Sequence, residues 1–240
     1  SFEAVRDGAR ECDMYAAALG AMHAAGADPP ALPMPLSSGP NTLSVTHMAA
    51  TRRRLRPGDP ITVEVGAAFN RYHSVACHTV AFRNARPEIG RLHASVRQRL
   101  DAGRRVIGPG VPTAEVARAI AATFEGRARE RWQGVHFGYG FGIGFTGVWL
   151  DNLRIKGTDK HVLEPGMSFF LVNGAYTENE GAFVCLGDAI LVTERGFEDL
   201  SGLARDGLLV LGRTRPRRPA ARRPSRRARK PVRRRPRTAS

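Results

Sequence analysis

ITVEVGAAFNRYHSVACHTVAF, residues 61–82, consists of two apolar, β-branched runs divided by Asn70 and Arg71. Val, Ile, Thr and Phe suit a pleated, half-buried backbone, and a two-residue polar connection leaves room only for a tight turn. The stretch therefore predicts paired strands over 61–69 and 72–82. On the first strand Glu64 alternates with Thr62 and Gly66, so a single carboxylate stands among small neutral neighbours. That carboxylate is either a working group or an ordinary partner for one of the many arginines. His73 and His78 lie five apart on the second strand, face opposite ways and cannot form a simple two-histidine site.

Beyond this hairpin, helical spacing of apolar residues runs from Pro87 to about Val106, stops at GPGVP (108–112) and resumes from Thr113 to about Trp132. Thr113 is the expected N-cap of the second helix. Strand-like runs follow at HFGYGFGIGFTGVW (136–149), MSFFLVNGAY (167–176) and GAFVCLGDAILVTE (181–194). Ahead of the hairpin, residues 1–26 carry one or two Ala-rich helices ending at Gly26. A Pro-rich segment (Pro29, Pro30, Pro33, Pro35) then leads to SSGPNTLSVTH (37–47), a turn beside a short strand. Helices and strands are thus segregated, which gives an α+β class. The Gly-rich run 138–147 lacks the Lys-Ser/Thr ending of a phosphate-binding loop.

The chain has 240 residues, 42% apolar and 25% charged, which fits one large soluble domain. Its formal charge of +15 is concentrated at one end: 14 of the 37 Lys and Arg lie between Arg213 and Thr238, a stretch with no acidic residue. The remainder holds 23 basic against 22 acidic residues and is near neutral. We expect a folded domain over 1–212 and a disordered Arg/Pro-rich tail over 213–240, able to bind polyanions non-specifically or simply solvated. Cys12, Cys77 and Cys185 are odd in number and widely spaced, against a disulfide framework or zinc finger. With no apolar run of transmembrane length and no signal-peptide pattern at the start, the expectation is no membrane partner and a cytoplasmic location.

Five segments, SGPNTLSVTH, LRPGDPITVEVG, RYHSVACHTV, YGFGIGF and LEPGMSFFLVNGAY followed by GDAILVTERGFEDLS, stand in the order and spacing of the pita-bread family. The chain resembles that family, which includes creatinase, ectoine hydrolase, prolidase, aminopeptidase P and methionine aminopeptidase, over about residues 15–201. The resemblance implies a curved, mostly antiparallel sheet with helices on its outer face, here beginning late as an N-terminally truncated version. It also implies homodimers.

Typical members hold two metal ions with two Asp, one His and two Glu. At the matching positions this chain has Glu64, Val75, Phe141, Val172 and Gly187. Val, Phe and Gly cannot ligate a cation, so the expectation is no metal and no cofactor. The pattern is closest to ectoine hydrolase-like members, through Glu64-Val65-Gly66, Arg71-Tyr72-His73 and Thr79-Val80. That likeness implies a metal-independent hydrolase of an amide or amidine C–N bond in a small nitrogenous solute or short peptide. Glu64 would be nucleophile or base in an apolar pocket formed by Val75, Phe141 and Val172. His47 would be the acid, and Tyr72, His73, Phe141, Trp149 and Tyr176 would bind substrate. The chain departs from the pattern at His78, where the family has Arg, and Cys77 and Leu186 replace creatinase's additional acidic residues. The alternatives are a catalytically inactive module that binds a peptide or protein, and a metal-dependent Xaa-Pro aminopeptidase.

Overall fold

A computed structural model describes residues 4–44, 49–124, 136–145, 147–176, 181–201 and 207–212. In chain order these form α1 (Glu11–Ala24), β1 (Leu36–Ser38), a 3-10 turn (Gly39–Ser44), β2 (Pro60–Phe69), β3 (Tyr72–Phe82), α2 (Pro87–Arg104) and α3 (Thr113–Ala121). They continue with β4 (Gly138–Phe145), β5 (Val148–Arg154), β6 (Ser168–Tyr176), β7 (Phe183–Thr193), β8 (Gly196–Asp199) and β9 (Val210–Leu211). The strands make one sheet in the order β1-β2-β3-β4-β6-β7-β8, with β5 on β4, β9 on β3 and a further pairing of β3 with β7. All pairings are antiparallel except β3 with β9. The α+β class and the mostly antiparallel sheet match the expectation.

β2 and β3 pair from Pro60↔Ala81 to Phe69↔Tyr72, leaving Asn70 and Arg71 as the connection. Both have positive φ, 49° and 66°. That is the conformation a two-residue turn needs to follow the strand twist. Arg71 adopts it without a glycine because the turn is tied down on several sides. Its N–H donates to Asp28 Oδ2 (2.8 Å), and its guanidinium donates to Pro29 O (2.6 Å) and Gly144 O (2.7 Å).

Alternation along β6 and β7 divides the interior. Phe169, Leu171, Val184, Leu186 and Ile190 pack with Ile89, Leu92, Val96 and Leu100 of α2 and with Val116 and Ile120 of α3. Their neighbours Phe170, Val172, Phe183, Cys185 and Ala189 face the other way, onto Val75, Tyr139, Phe141 and Trp149. A third cluster joins Met14 and Ala18 of α1 to Leu36, Ile61, Val63 and Phe82. There Glu11 is fully buried and fastens α1 to two distant segments. It accepts hydrogen bonds from Ser38 N (2.8 Å), Ser38 Oγ (2.7 Å), Thr51 N (2.9 Å) and Thr51 Oγ1 (2.5 Å).

Several local expectations change. One helix forms among the described residues before Gly26, within the expected one or two; the changes lie elsewhere. Pro112 occupies the cap position of α3. Thr113 instead turns its hydroxyl to Asp159 Oδ1 (2.8 Å) and His161 O (3.2 Å), so tertiary partners outcompete the helix end. The described part of that helical run passes into a 3-10 turn at Ala122–Phe124, and residues 125–135 lie outside the described residues. The β-rich run 136–149 supplies parts of two strands, since the chain reverses between Phe145 and Val148. The basic tail 213–240 lies outside the described residues. Among the described residues no helix is long and apolar enough to cross a membrane.

Candidate functional site

β2 and β3 deliver Glu64 opposite Cys77, and β3 in turn pairs Cys77 with Gly187 of β7. Gly187 also stands opposite Val172 of β6. The sheet thus gathers four of the positions singled out in the sequence, Glu64, Val75, Val172 and Gly187, on its aromatic-lined face. Phe141 joins them in the same cluster from β4. Glu64 is 4% exposed. It accepts a hydrogen bond from Tyr139 Oη (3.0 Å), which itself accepts one from Trp149 Nε1 (3.1 Å). No arginine, lysine or histidine among the described residues pairs with it, so the reading of Glu64 as an ordinary ion-pair partner fails. Burial without a cation pushes its pKa up to about 7, against the opposing pull of the Tyr139 hydrogen bond. Beside it, Cys77 is held well above the usual thiol range, by its hydrogen bond with Cys185 first and by burial second. The Cys77 thiol stays protonated and inert.

The space next to Glu64 is small and differs from the pocket expected. A cavity of about 10 Å³ is lined by Pro35, Ser37, Thr42, Thr62, Glu64, Cys77 and Phe183. That is room for one water with hydroxyl and carboxylate partners. Val75 sits opposite Gly66 rather than Glu64, and Trp149 lies flat against Gly66, where an added Cβ would come within 2.5 Å of the indole. Gly187 likewise makes way for a ring, since a Cβ there would meet Phe170 Cζ at 2.4 Å and Leu171 O at 3.1 Å. Gly187→Ala is therefore expected to cost roughly 1–3 kcal/mol, because the backbone oxygen cannot yield even if the ring does. Urea unfolding with an unchanged m-value would register it; a neutral result would mean the ring is not packed as described.

The other expected site residues separate into two places. Trp149 and Tyr176 belong to the aromatic cluster, Trp149 being 1% exposed and Tyr176 half-buried at its edge. Tyr72 lies on the opposite strand face from Val75 and Cys77, is half-exposed, and bonds Ser168 Oγ through its hydroxyl (2.8 Å). With His73 and Phe141 it lines an open groove of about 420 Å³ that shares no residue with the Glu64 cavity. His73 is fully buried, and both ring nitrogens are used by backbone. Ala31 N–H donates to Nε2 (3.0 Å), which leaves Nδ1–H to donate to Arg71 O (3.0 Å). It orders the hairpin tip. His47 lies outside the described residues. Tyr139 was missed, although the sequence carried a signal: it stands two residues before Phe141 on one strand and so shares its face.

Residues 1–194 match the sequence profile of metallopeptidase family M24. Among curated proteins, the chain is 28% identical over 181 residues to the ectoine hydrolase of Halomonas elongata, covering 75% of this chain and 44% of that protein. It is 26% identical over 208 residues to the Xaa-Pro dipeptidase of Pyrococcus furiosus, covering 86% and 58%. Among solved structures, an X-Pro aminopeptidase from Thermotoga maritima superposes with TM-score 0.78 at 19% identity, over 88% of this chain and 58% of that one. A methionine aminopeptidase from Rickettsia prowazekii gives TM-score 0.70 at 16% identity, over 83% and 89%. The chain spans about half the length of the curated relatives it matches.

Proposed function

Because the chain belongs to metallopeptidase family M24, we propose that it is a C–N hydrolase of the metal-independent, ectoine hydrolase-like kind, with Glu64 as its working carboxylate. The observation that carries this is Glu64 itself: a buried, cation-free carboxylate poised at about pH 7 beside a water-sized polar cavity. A pKa matched to working pH is what a general base requires. Glu64 takes a proton from water as the water oxygen bonds to the amide or amidine carbon. The C–N bond then breaks, and the departing nitrogen takes a proton from His47. The size of the cavity favours base over nucleophile, since a carboxylate attacking directly would need the substrate carbon in that same space.

The family's two metal ions do not fit the residues present. Of the five matching positions only Glu64 offers a donor atom, and the two Gly-based approaches are filled by Trp149 and Phe170. Among the described residues no three His, Cys, Asp or Glu converge on a point that could hold a metal ion. The mechanism therefore takes no step through a metal.

The test is a product screen of chelator-treated protein, with metal content measured, against ectoine, creatine, acylated diamino acids and Xaa-Pro dipeptides. Turnover that survives chelation supports the proposal, whereas turnover that appears only on adding manganese, cobalt or zinc overturns it. A second reading, a non-catalytic module that binds a peptide, is favoured by the tight packing of Trp149 on Gly66 and the small volume left at Glu64. Stabilisation by a compound in the screen without any product would select that reading.

A further inference from the structure

The hydrogen bonds around Glu64 have a direction that the residue types fix. Indole Nε1–H of Trp149 can only donate. At 3.1 Å from Tyr139 Oη it therefore uses a lone pair of that oxygen, and the single hydrogen of the phenol is left to point at Glu64 Oε1, 3.0 Å away. All three groups are buried, Trp149 at 1%, Tyr139 at 5% and Glu64 at 4% exposure, so water does not compete for these bonds. Packing holds the geometry: the Trp149 ring is seated on Gly66, and Tyr139 rests against Phe170 with ring centroids 5.3 Å apart.

We propose that Tyr139 and Trp149 are positioning residues that act as a one-way relay, Trp149 to Tyr139 to Glu64, favouring the ionised form of Glu64 against burial and aiming its carboxylate at the cavity. The relay can serve only an acceptor. A protonated Glu64 can accept from Tyr139 only as a neutral carbonyl, with its own proton on Oε2, whereas the carboxylate accepts the same hydrogen with its charge and so more strongly. Burial alone favours the acid, and the Tyr139 hydrogen bond pulls the other way. Tyr139 itself stays a phenol, raised far above its ordinary value by burial and by the Glu64 charge. Among the described residues, the titratable groups around Glu64 are the thiols Cys77 from β3 and, behind it, Cys185 from β7, with Asp188 acting on Cys77 from further along β7. The β1 side and the 3-10 turn contribute only Pro35, Ser37 and Thr42.

The kinetic consequences rest on the reading of Glu64 as the hydrolytic carboxylate, so the first measurement is made without substrate. Infrared titration of the protonated-carboxyl band, assigned by its absence in Glu64→Gln, gives the Glu64 midpoint directly. In Tyr139→Phe that midpoint is expected to rise by roughly 1–2 pH units, the loss of one hydrogen bond to a charged group. In Trp149→Phe, which keeps an aromatic ring on Gly66 but removes the indole N–H, it rises by less. Where turnover exists, the acid limb of kcat/KM moves with the midpoint. Tyr139→Phe then loses roughly five- to fiftyfold at pH 7 and recovers at higher pH, a pattern mere loosening of the core would not give. An unmoved midpoint in a folded Tyr139→Phe, or in Trp149→Phe should the first not fold, overturns the relay. A moved midpoint in a protein with no turnover leaves the relay standing and removes the hydrolase reading instead.

Discussion

Glu64→Gln is expected to abolish turnover and, in the same protein, to raise stability above pH 7. The two effects share one cause. A general base contributes roughly 10²–10⁴ in rate, and Gln cannot take a proton. The stability gain comes from the carboxylate's folded pKa of about 7 against its ordinary 4.5. Below pH 4.5 the group is protonated in both states and has no effect on the balance. As pH rises from 4.5 to 7 the unfolded chain gives up its proton while the native one keeps it, so the native state loses stability over that window. The full penalty, roughly 3 kcal/mol, stands above pH 7. Gln removes the penalty and still accepts the Tyr139 hydrogen bond through its amide oxygen. The gap in melting temperature between the two proteins should therefore be near zero at pH 4 and grow to a plateau by about pH 8. His93 acts in the opposite direction. Burial holds its pKa down to about 4, so stability is lost as pH falls from 6.5, equally in both proteins, and cancels from the gap. A gap that does not vary with pH would falsify the assignment of Glu64 as an uncompensated buried acid, and undiminished turnover would remove it from the chemistry.

What could be read beforehand followed from local rules. The hairpin was legible because β-branched alternation and a two-residue polar connection act within a few residues. That connection also fixes the register, so the meeting of Glu64 with Cys77, and the separation of Tyr72 from the face of Val75, were implicit in the spacing. Tyr72, expected among the substrate-binding residues, thus falls on the strand face opposite Val75. The expected absence of metal ligands was argued from residue type, but the packing around Glu64 was not legible. Trp149 on Gly66 joins strands 83 residues apart, and Phe170 over Gly187 is a diagonal contact set by the register of β6 on β7. Glu11 was illegible for a similar reason. Nothing in an Ala-rich helix marks one carboxylate for burial when its partners, Ser38 and Thr51, arrive from 27 and 40 residues away. Thr113 shows the converse case, a residue with strong cap propensity drawn off by Asp159, 46 positions on.

The largest expected loss of stability lies outside the site, where α2 meets the sheet at Asp188. This carboxylate is 2% exposed, and Arg104 Nη2 donates to its Oδ2 in a close contact. Arg97 Nη1 lies 3.8 Å from Oδ2 and His78 Nε2 lies 3.9 Å from Oδ1. Burial outweighs the Asp188 charge in lowering the pKa of His78, so the anion is met by the two arginines and not by an imidazolium. Asp188→Ala leaves buried positive charge facing an apolar layer. Asp101 (3.2 Å) and Asp199 (3.6 Å) remain near Arg104, but both are more exposed than Asp188 and screen it less completely. Breaking one side of a buried pair typically costs about 3–5 kcal/mol, and the same is expected here. The informative variant is the double one. Asp188→Leu combined with Arg104→Met removes anion and principal cation together, and Leu and Met match the apolar contacts that Leu186 and Ile190 already make on that strand face. If Asp188 acts by compensating Arg104, the double variant should be clearly less destabilised than the two single losses added together, in denaturant unfolding at one pH. Strict additivity would show that Asp188 works mainly through Arg97, and the pairing with Arg104 would then contribute little to holding α2 on the sheet.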